Sequence, residues 1–397
     1  MKSLFVFILV LFSFPLWGKE LKFKFYSEDI VINYDESLNL KYKLKLKDQK
    51  LKDFYETLEK LNYTGLLDEL NKYRVQYGLN DWFYYKLLQE VSRNIYEDRE
   101  ENYQIAFCWF LLNKTGYNAN LRYLNKKQLG LYVYSKDNVF INYYNFNRKK
   151  YINLSFDSSL KKTSDRVTNL KFFPNKNGKS FCFSIDSLPK FSNYVTTQRV
   201  LFFKAGGQED TLTVNINKTV IDLMSEYPSV NTEEYFKINL SQECYQSLIP
   251  FFRNKIQGMS ETEAVRYLLS FVRLAFKFEN DRICYGKEKP MIAEEVLYYP
   301  YADCEDKSAI FFYLVKELLN LNAIVLEYPN HVNIAVLLDQ VYGKPYVYKG
   351  KNYSVCEPNV LGDSERSGIG YSTAYEKYPN PKVIYEYESS VNKEKQD

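Results

Sequence analysis

Histidine and closely spaced cysteine are scarce in this chain of 397 residues, which has one histidine, His331, and six widely separated cysteines. A zinc site needs several His or Cys ligands at close spacing. No acidic segment has the ligand spacing of a calcium-binding loop either. We therefore expect neither a metal ion nor another cofactor.

An excess of charge of one sign is also missing. Lysine and arginine total 53, aspartate and glutamate total 49, the formal net charge is +4, and the two signs are interspersed. A nucleic-acid-binding surface needs a concentration of basic side chains that neutralises phosphates. Nucleic acid is therefore not an expected partner.

Long apolar runs are absent apart from the beginning of the chain. The segment "MKSLFVFILVLFSFPLWG" (1–18) places Lys2 before an apolar run at 4–17, which is short for a membrane span. With Gly18 as the small residue before cleavage, this pattern is typical of a secretory signal peptide. We expect an exported protein, periplasmic or extracellular, with no membrane span after signal removal. Leu16 is unfavourable at a cleavage site, so an uncleaved N-terminal anchor is the alternative.

The length and the pattern of apolar residues predict more than one module. Helical spacing dominates residues 53–96 and 103–113, alternating strands follow, and short alternating runs fill 165–220 before helical spacing returns. The prediction is an α+β protein with these parts: a signal peptide at 1–18, an N-terminal α+β domain at 19–160, a β-rich linker section at 161–228, a second α+β domain at 229–380, and a flexible tail at 381–397.

Two distant segments are similar to each other. "FCWFLLNKTGYNANLRY" (107–123) and "FYLVKELLNLNAIVLEY" (312–328) each contain an apolar helix pattern, a Leu-Leu-Asn, a short turn and a strand pattern. A duplicated module is one interpretation. Chance similarity between two amphipathic helix–strand units is the other.

The stretch "YADCEDKSAIFFYL" places a cysteine at a predicted helix start. Asp303 suits the N-cap, Asp306 suits its capping partner, and Cys304 then lies in the first turn. Unpaired backbone N–H groups and the helix dipole stabilise a thiolate there, whereas Glu305 and Asp306 oppose its ionisation. A nucleophilic Cys304 would therefore need a cationic partner, and otherwise it is an ordinary small buried residue.

His331 is the one histidine available as that partner. It opens the strand pattern "HVNIAVLL" after the turn Pro329-Asn330. If the segment "YSVCE" returns antiparallel to this strand, Glu357 lies beside His331 and orients its ring. Asn359 is the alternative orienting residue, and each of these residues taken singly is more often structural.

Residues 230–375 resemble the transglutaminase-like branch of the papain-like cysteine enzymes, as a bacterial secreted member. In that family a cysteine at a helix N-terminus precedes a histidine on one strand and an aspartate on the next, and Cys304, His331 and Glu357 match this order. The resemblance implies a papain-like fold for the second domain, and a degenerate copy without the catalytic Cys and His at 45–155. The glutamate in place of aspartate is a departure from the family pattern.

The activity implied by this resemblance is covalent catalysis by a Cys-His-Glu triad. The protein would be an exported cysteine-dependent amide hydrolase or acyl transferase that acts on peptide or protein carboxamides in the cell envelope. The alternative is a non-catalytic envelope protein that uses the same fold as a binding or scaffold module. The 38 tyrosines and 28 phenylalanines would suit a groove in either case.

Overall fold

The computed structural model of the chain describes residues 18–154, 167–359 and 368–390. The predicted signal peptide, except Gly18, and the end of the predicted tail therefore lie outside the described residues. The described chain divides into two compact units. The first unit comprises 18–136, 143–154 and 167–181, and the second comprises 137–142, 182–359 and 368–390.

The first unit contains a hairpin, four helices and a sheet of five strands. Its elements are β1 (Lys19–Phe25), β2 (Glu28–Tyr34), α1 (Asp48–Glu59), α2 (Thr64–Tyr77), α3 (Asp81–Ile95), α4 (Glu101–Lys114), β3 (Ala119–Tyr123), β4 (Leu129–Tyr134), β5 (Tyr143–Phe146), β6 (Lys149–Asn153) and β7 (Thr168–Asn169). The sheet is antiparallel, with the strand order β5-β6-β4-β3-β7. The helical region predicted at 53–96 consists of three helices, α1, α2 and α3. The Asn80 side chain caps α3 by accepting from the Phe83 N–H at 3.0 Å.

The second unit begins with a long hairpin and continues through seven helices into another sheet of five strands, with a final helix before the last strand. Its elements are β8 (Thr196–Ala205), β9 (Gln208–Asn217), α5 (Lys218–Ser225), α6 (Thr232–Tyr235), α7 (Gln242–Lys255), α8 (Glu261–Ala275), α9 (Asp281–Cys284), α10 (Ala293–Tyr298), α11 (Cys304–Leu314), β10 (Ala323–Tyr328), β11 (His331–Val336), β12 (Tyr346–Tyr348), β13 (Lys351–Cys356), α12 (Thr373–Lys377) and β14 (Lys382–Tyr387). The sheet is antiparallel, with the order β12-β13-β11-β10-β14.

Helix α8 shows how sequence and packing combine in the second unit. Ser260 and Glu263 form the predicted capping box, in which each side chain accepts from the backbone N–H of the other residue. The apolar stripe behind it is buried, and the Phe271 ring lies 5.0 Å from Phe203 and 4.7 Å from Phe252, measured between ring centroids. Removing such a ring costs about 3–5 kcal/mol of stability in a packed core, so α8 anchors the hairpin and α7.

Helix α11 packs against one face of the second sheet. Alternate residues of β11 separate into two cores: Val332, Ile334 and Val336 join α8 and α11, whereas Ala335 lies with Tyr375 on the opposite face. After α11 the chain makes a π-helical turn at Val315–Leu319 and ends it at Asn320, in the left-handed conformation with φ 49°. This turn connects α11 to β10, which pairs with β11 in the middle of the sheet.

The two sheets have the same topology. Counted along the chain, the order of both is third, fourth, second, first, fifth strand. In both, the fourth residue of the second strand pairs with the last residue of the fourth strand: Tyr132 with Asn153, and Ile334 with Cys356. A helix precedes the first strand in each case, α4 before β3 and α11 before β10.

The α+β class is confirmed, and several details differ from the sequence prediction. The predicted β-rich section at 161–228 is not a separate body, because the β8–β9 hairpin packs on α7 and α8 of the second unit. The alternating segment "SFCFSI" (180–185) is not a strand, although its phenylalanines are buried. The predicted tail at 381–397 contains β14, which pairs with β10 at the sheet edge.

Among the residues that the structure describes, no helix is both long enough and apolar enough to cross a bilayer.

Candidate active site

Cys304 is the first residue of α11, as the capping pattern predicts. Asp303 occupies the N-cap, and Asp306 accepts the backbone N–H of Asp303 at 3.2 Å and that of Met291 at 2.8 Å. The helix is fixed to β11 one turn further on, where Ser308 Oγ donates to the Val332 carbonyl at 3.0 Å. This contact places the beginning of α11 beside the beginning of β11.

The surroundings of the Cys304 sulfur favour the neutral thiol. Burial raises the pKa of Cys304 well above its ordinary value, and the carboxylates of Glu305 and Asp303 raise it further. The backbone N–H of Val332 approaches the sulfur and acts in the opposite direction, but it does not outweigh them. The thiol itself donates to Glu305 Oε2 at 3.1 Å. The sequence predicts this opposition from Glu305 and Asp306. In the structure Glu305 acts as predicted, and the second acid is Asp303, the N-cap residue.

His331 and Glu357 meet where the sequence predicts. β11 and β13 run antiparallel with Ile334 opposite Cys356, so the end of β13 lies beside the beginning of β11. His331 Nε2 and Glu357 Oε2 are 2.8 Å apart, with a half-buried ring and a buried carboxylate. Because Nε2 is engaged, Nδ1 is the nitrogen left for another partner, and no hydrogen bond to it occurs within the described ranges.

Glu357 is held by several other groups. Its Oε1 accepts the backbone N–H of Asn359 at 3.2 Å and the side-chain amide of the same residue at 3.3 Å. Its Oε2 also accepts the Ser372 hydroxyl at 3.1 Å. Ser372 in turn accepts from Asn333 Nδ2 at 2.9 Å, and Tyr328 donates to Asn333 Oδ1 at 3.1 Å. Asn359, the alternative partner of the histidine, thus orients the glutamate instead.

Cys304 and His331 are neighbours of the same short backbone segment but are not hydrogen-bonded to each other. The sulfur lies against the Val332 N–H, and His331 is the residue immediately before Val332. For the sulfur to reach Nδ1, the thiol must leave Glu305. Rotation about the Cα–Cβ bond of Cys304 would release the thiol from Glu305.

Three buried polar residues near the site were not identified from the sequence. Ser372 and Asn333 belong to the network around Glu357, and Lys307 lies in α11 three residues after Cys304. Burial lowers the pKa of Lys307 to about 8, and the nearby charge of Arg273 acts in the same direction. Lys307 could have been identified from the sequence, because a lysine is unusual in the first half of an apolar helix. The contact between Ser372 and Asn333 could not, because the two residues are 39 positions apart in the chain.

The corresponding positions of the first unit carry no such groups. Leu129 opens β4 and pairs with Tyr123, as His331 opens β11 and pairs with Tyr328. Leu154 follows the last residue of β6, as Glu357 follows β13. Both leucines are buried, so apolar contacts replace the imidazole–carboxylate pair there.

None of the protein-family models, curated proteins or solved structures compared with the chain matches it.

Proposed function

We propose that the protein is an exported cysteine-dependent amide hydrolase or acyl transferase of transglutaminase-like type that acts on peptide or protein carboxamides. The observation that supports this most directly is the 2.8 Å contact between His331 Nε2 and Glu357 Oε2. It lies at the strand end adjoining a helix that begins with a cysteine. A buried carboxylate on one ring nitrogen fixes the tautomer and stabilises the imidazolium that forms when the other nitrogen takes a proton.

The proposed reaction has two half-steps. Cys304 Sγ transfers its proton to His331 Nδ1 and attacks the carboxamide carbon, the C–N bond breaks, and the amine leaves with the proton from the imidazolium. A water molecule or a second amine then attacks the thioester carbon and gives its proton to His331. The C–S bond breaks, the imidazolium returns the proton to Cys304 Sγ, and the acid or the new amide leaves. Backbone N–H groups at the beginning of α11 are the candidate donors to the oxyanion. Glu357 keeps the ring oriented throughout.

The papain-like fold of the second unit is part of the same proposal. A helix that begins with the cysteine packs on an antiparallel sheet whose second strand begins with the histidine. The shared strand order and register of the two units support the further proposal that the first unit is a duplicated copy, with Leu129 and Leu154 in place of the histidine and the glutamate. The envelope location rests on the signal-peptide pattern of the sequence.

Alkylation of the thiol distinguishes a catalytic site from a structural one. The full chain would be treated with limiting iodoacetamide, and the labelling rates of Cys304, Cys284 and Cys182 would be followed by peptide mass spectrometry. Burial and the flanking acids alone would make Cys304 the slowest of the three, because they raise the pKa of its thiol well above the ordinary value, and Cys182 is exposed. A catalytic Cys304 that pairs with His331 is expected to be the fastest.

His331→Ala supplies the specific test. It is expected to slow the labelling of Cys304 by at least about tenfold, equivalent to one pKa unit or more of lost thiolate stabilisation, and to leave Cys284 unchanged. Asn330→Ala is the matched control, because Asn330 is exposed in the adjacent turn. Slow labelling of Cys304 that does not respond to His331→Ala would refute the proposal and favour the binding module. Mass spectrometry of a carboxamide peptide incubated with an added primary amine then separates hydrolysis, which gives the acid, from acyl transfer, which gives the new amide.

A further inference from the structure

A group of buried carboxylates lies just before α11, in the second unit. Asp281 opens α9, Asp303 caps α11, and Asp306 lies in the first turn of α11. All three side chains are buried, with exposed fractions of 0% for Asp281, 7% for Asp303 and 0% for Asp306. One carboxylate oxygen of each lies within 4.8 Å of one from each of the others.

The protein supplies only part of what these carboxylates need. Asp281 Oδ2 accepts the backbone N–H of Lys289, and the two oxygens of Asp306 accept backbone N–H groups. Asp281 Oδ1 and Asp303 Oδ1, however, are buried and accept no hydrogen bond. A buried carboxylate oxygen without a donor is strongly unfavourable, so two of them in one group indicate a missing ligand.

No basic side chain of the described residues acts as a counter-ion for these three carboxyl groups. None of the lysines, arginines or the histidine in the described ranges forms an ion pair with Asp281, Asp303 or Asp306. Lys289 Nζ lies 2.7 Å from Glu295, and Arg282 Nε lies 2.7 Å from Glu288. Lys307, the residue after Asp306, forms no ion pair with an acid of the described residues. Three carboxyl groups in a buried space therefore have no counter-ion among the described residues.

We propose that Asp281, Asp303 and Asp306 form a binding site for a hard divalent cation, of which calcium is the best fit. Carboxylate oxygens are the ligands that such cations prefer, and a site with three or more carboxylates suits calcium better than magnesium, which retains most of its water. Glu305, which is partly exposed, is a fourth ligand of the proposed site. A carboxylate oxygen of Glu305 lies within 4.8 Å of one from Asp281 and also of one from Asp303. Water completes the coordination.

This site differs from any linear calcium-binding motif. Its ligands come from two separate helix starts, so no linear spacing of acids predicts it. It makes no use of the imidazole or of the carboxylate of Glu357. The cation would bind whether or not the chain is an enzyme, so binding can be tested without any substrate.

The test measures binding of the metal alone to the full chain after treatment with a chelator. Calorimetric titration with calcium chloride is expected to give one saturable site, and terbium luminescence excited through tyrosine, with Tyr285 in the adjoining segment, is expected to rise and to be reversed by calcium. Asp281→Asn removes one ligand charge with little change of shape and is expected to weaken binding at least tenfold. Glu279→Gln is the matched control, because Glu279 lies two residues away and belongs to none of the acid groups.

Three results would overturn the proposal. The first is an absence of saturable binding by the wild-type chain, which would mean that the carboxylates share protons instead. The second is equal binding by the wild type and by a folded Asp281→Asn variant, which would place the cation elsewhere. The third is a preference for zinc that Cys304→Ser abolishes, since a soft thiolate site would then replace the oxygen site. If Asp281→Asn does not fold, Asp303→Asn provides the same comparison, and the wild-type titration stands by itself.

Discussion

The Ser308 hydroxyl donates to the Val332 carbonyl at 3.0 Å, and this bond connects the helix that begins with Cys304 to the strand that begins with His331. Ser308 lies four residues after Cys304, and Val332 directly follows His331. The bond is buried, so it has no competition from water. The position of the sulfur relative to the imidazole therefore depends on a serine and a carbonyl that take no part in the proposed reaction.

Replacement of Ser308 tests this dependence. Ser308→Ala is expected to lower the free energy of unfolding by about 1 kcal/mol, because a buried hydrogen bond is lost. It is also expected to slow the alkylation of Cys304, since the helix start is less firmly held. Urea denaturation and the labelling assay measure the two effects. Ser270→Ala is the control, because the Ser270 hydroxyl bonds only the Arg266 carbonyl of its own helix. An unchanged Cys304 rate in a destabilised Ser308→Ala would show that the bond does not position the sulfur.

The charge of Glu357 is tested separately from its size. Glu357→Gln keeps the shape but removes the negative charge beside His331, so the imidazolium loses its partner. Alkylation of Cys304 is expected to slow by at least about tenfold, corresponding to one pKa unit or more. Glu376→Gln, at an exposed position of α12, is the control. Equal labelling of the two variants would argue against a role for the carboxylate.

Ser372 is expected to matter for stability because it joins two buried polar groups. Ser372→Ala removes the donor to Glu357 Oε2 and leaves Asn333 Nδ2 without its acceptor. A buried polar group left unpaired costs about 1–3 kcal/mol, so the midpoint of urea unfolding should fall accordingly. Thr373→Ala, at the exposed next position, serves as the comparison. A loss equal to that of Thr373→Ala would mean that the network contributes nothing measurable.

Asp210 predicts a dependence of stability on pH. Burial raises the pKa of Asp210, but hydrogen bonds from Lys255 and Tyr267 outweigh this effect and hold the pKa below its ordinary 3.8. The stabilisation is therefore complete above the unfolded-state pKa and is lost as the pH falls through the lower, folded-state pKa.

Asp210→Asn is accordingly expected to destabilise the protein by about 1–3 kcal/mol at pH 7 and by much less near pH 3. Denaturant unfolding of the variant and the wild type at both pH values measures the difference. Asp222→Asn, at an exposed ion pair with Lys218, should show little effect at either pH. A penalty for Asp210→Asn that is the same at pH 3 and pH 7 would contradict the assignment.

Local patterns predicted the candidate site because its parts are short and periodic. The capping residues locate the beginning of α11, and alternation along β11 separates Val332 and Ile334 from His331. The contact between His331 and Glu357 followed from one assumption, an antiparallel return of the chain. That return is the arrangement with the shortest connection between two neighbouring strands.

The remaining features depend on distances that a linear pattern does not encode. The approach of Asp281 to Asp303 requires that α9 and α11 begin at the same place in space, and the hydrogen bond from Asn333 to Ser372 follows a long connection. The sequence predicts that the hairpin at 196–217 belongs to a separate β section, because apolar and polar residues alternate strongly along it. Its buried face is covered by α7 and α8, which come later in the chain.

Cys356 pairs with Ile334 across β13 and β11, and this pairing decides which side of the sheet receives the next side chain. A slip of one residue would reverse every side chain of β13, and the glutamate would then leave the ring it now contacts. Insertions and deletions are therefore compatible with the pair only in the excursion between the two strands, at 337–350. Any version of this chain that keeps the pair can vary in length there, but not by a single residue inside either strand.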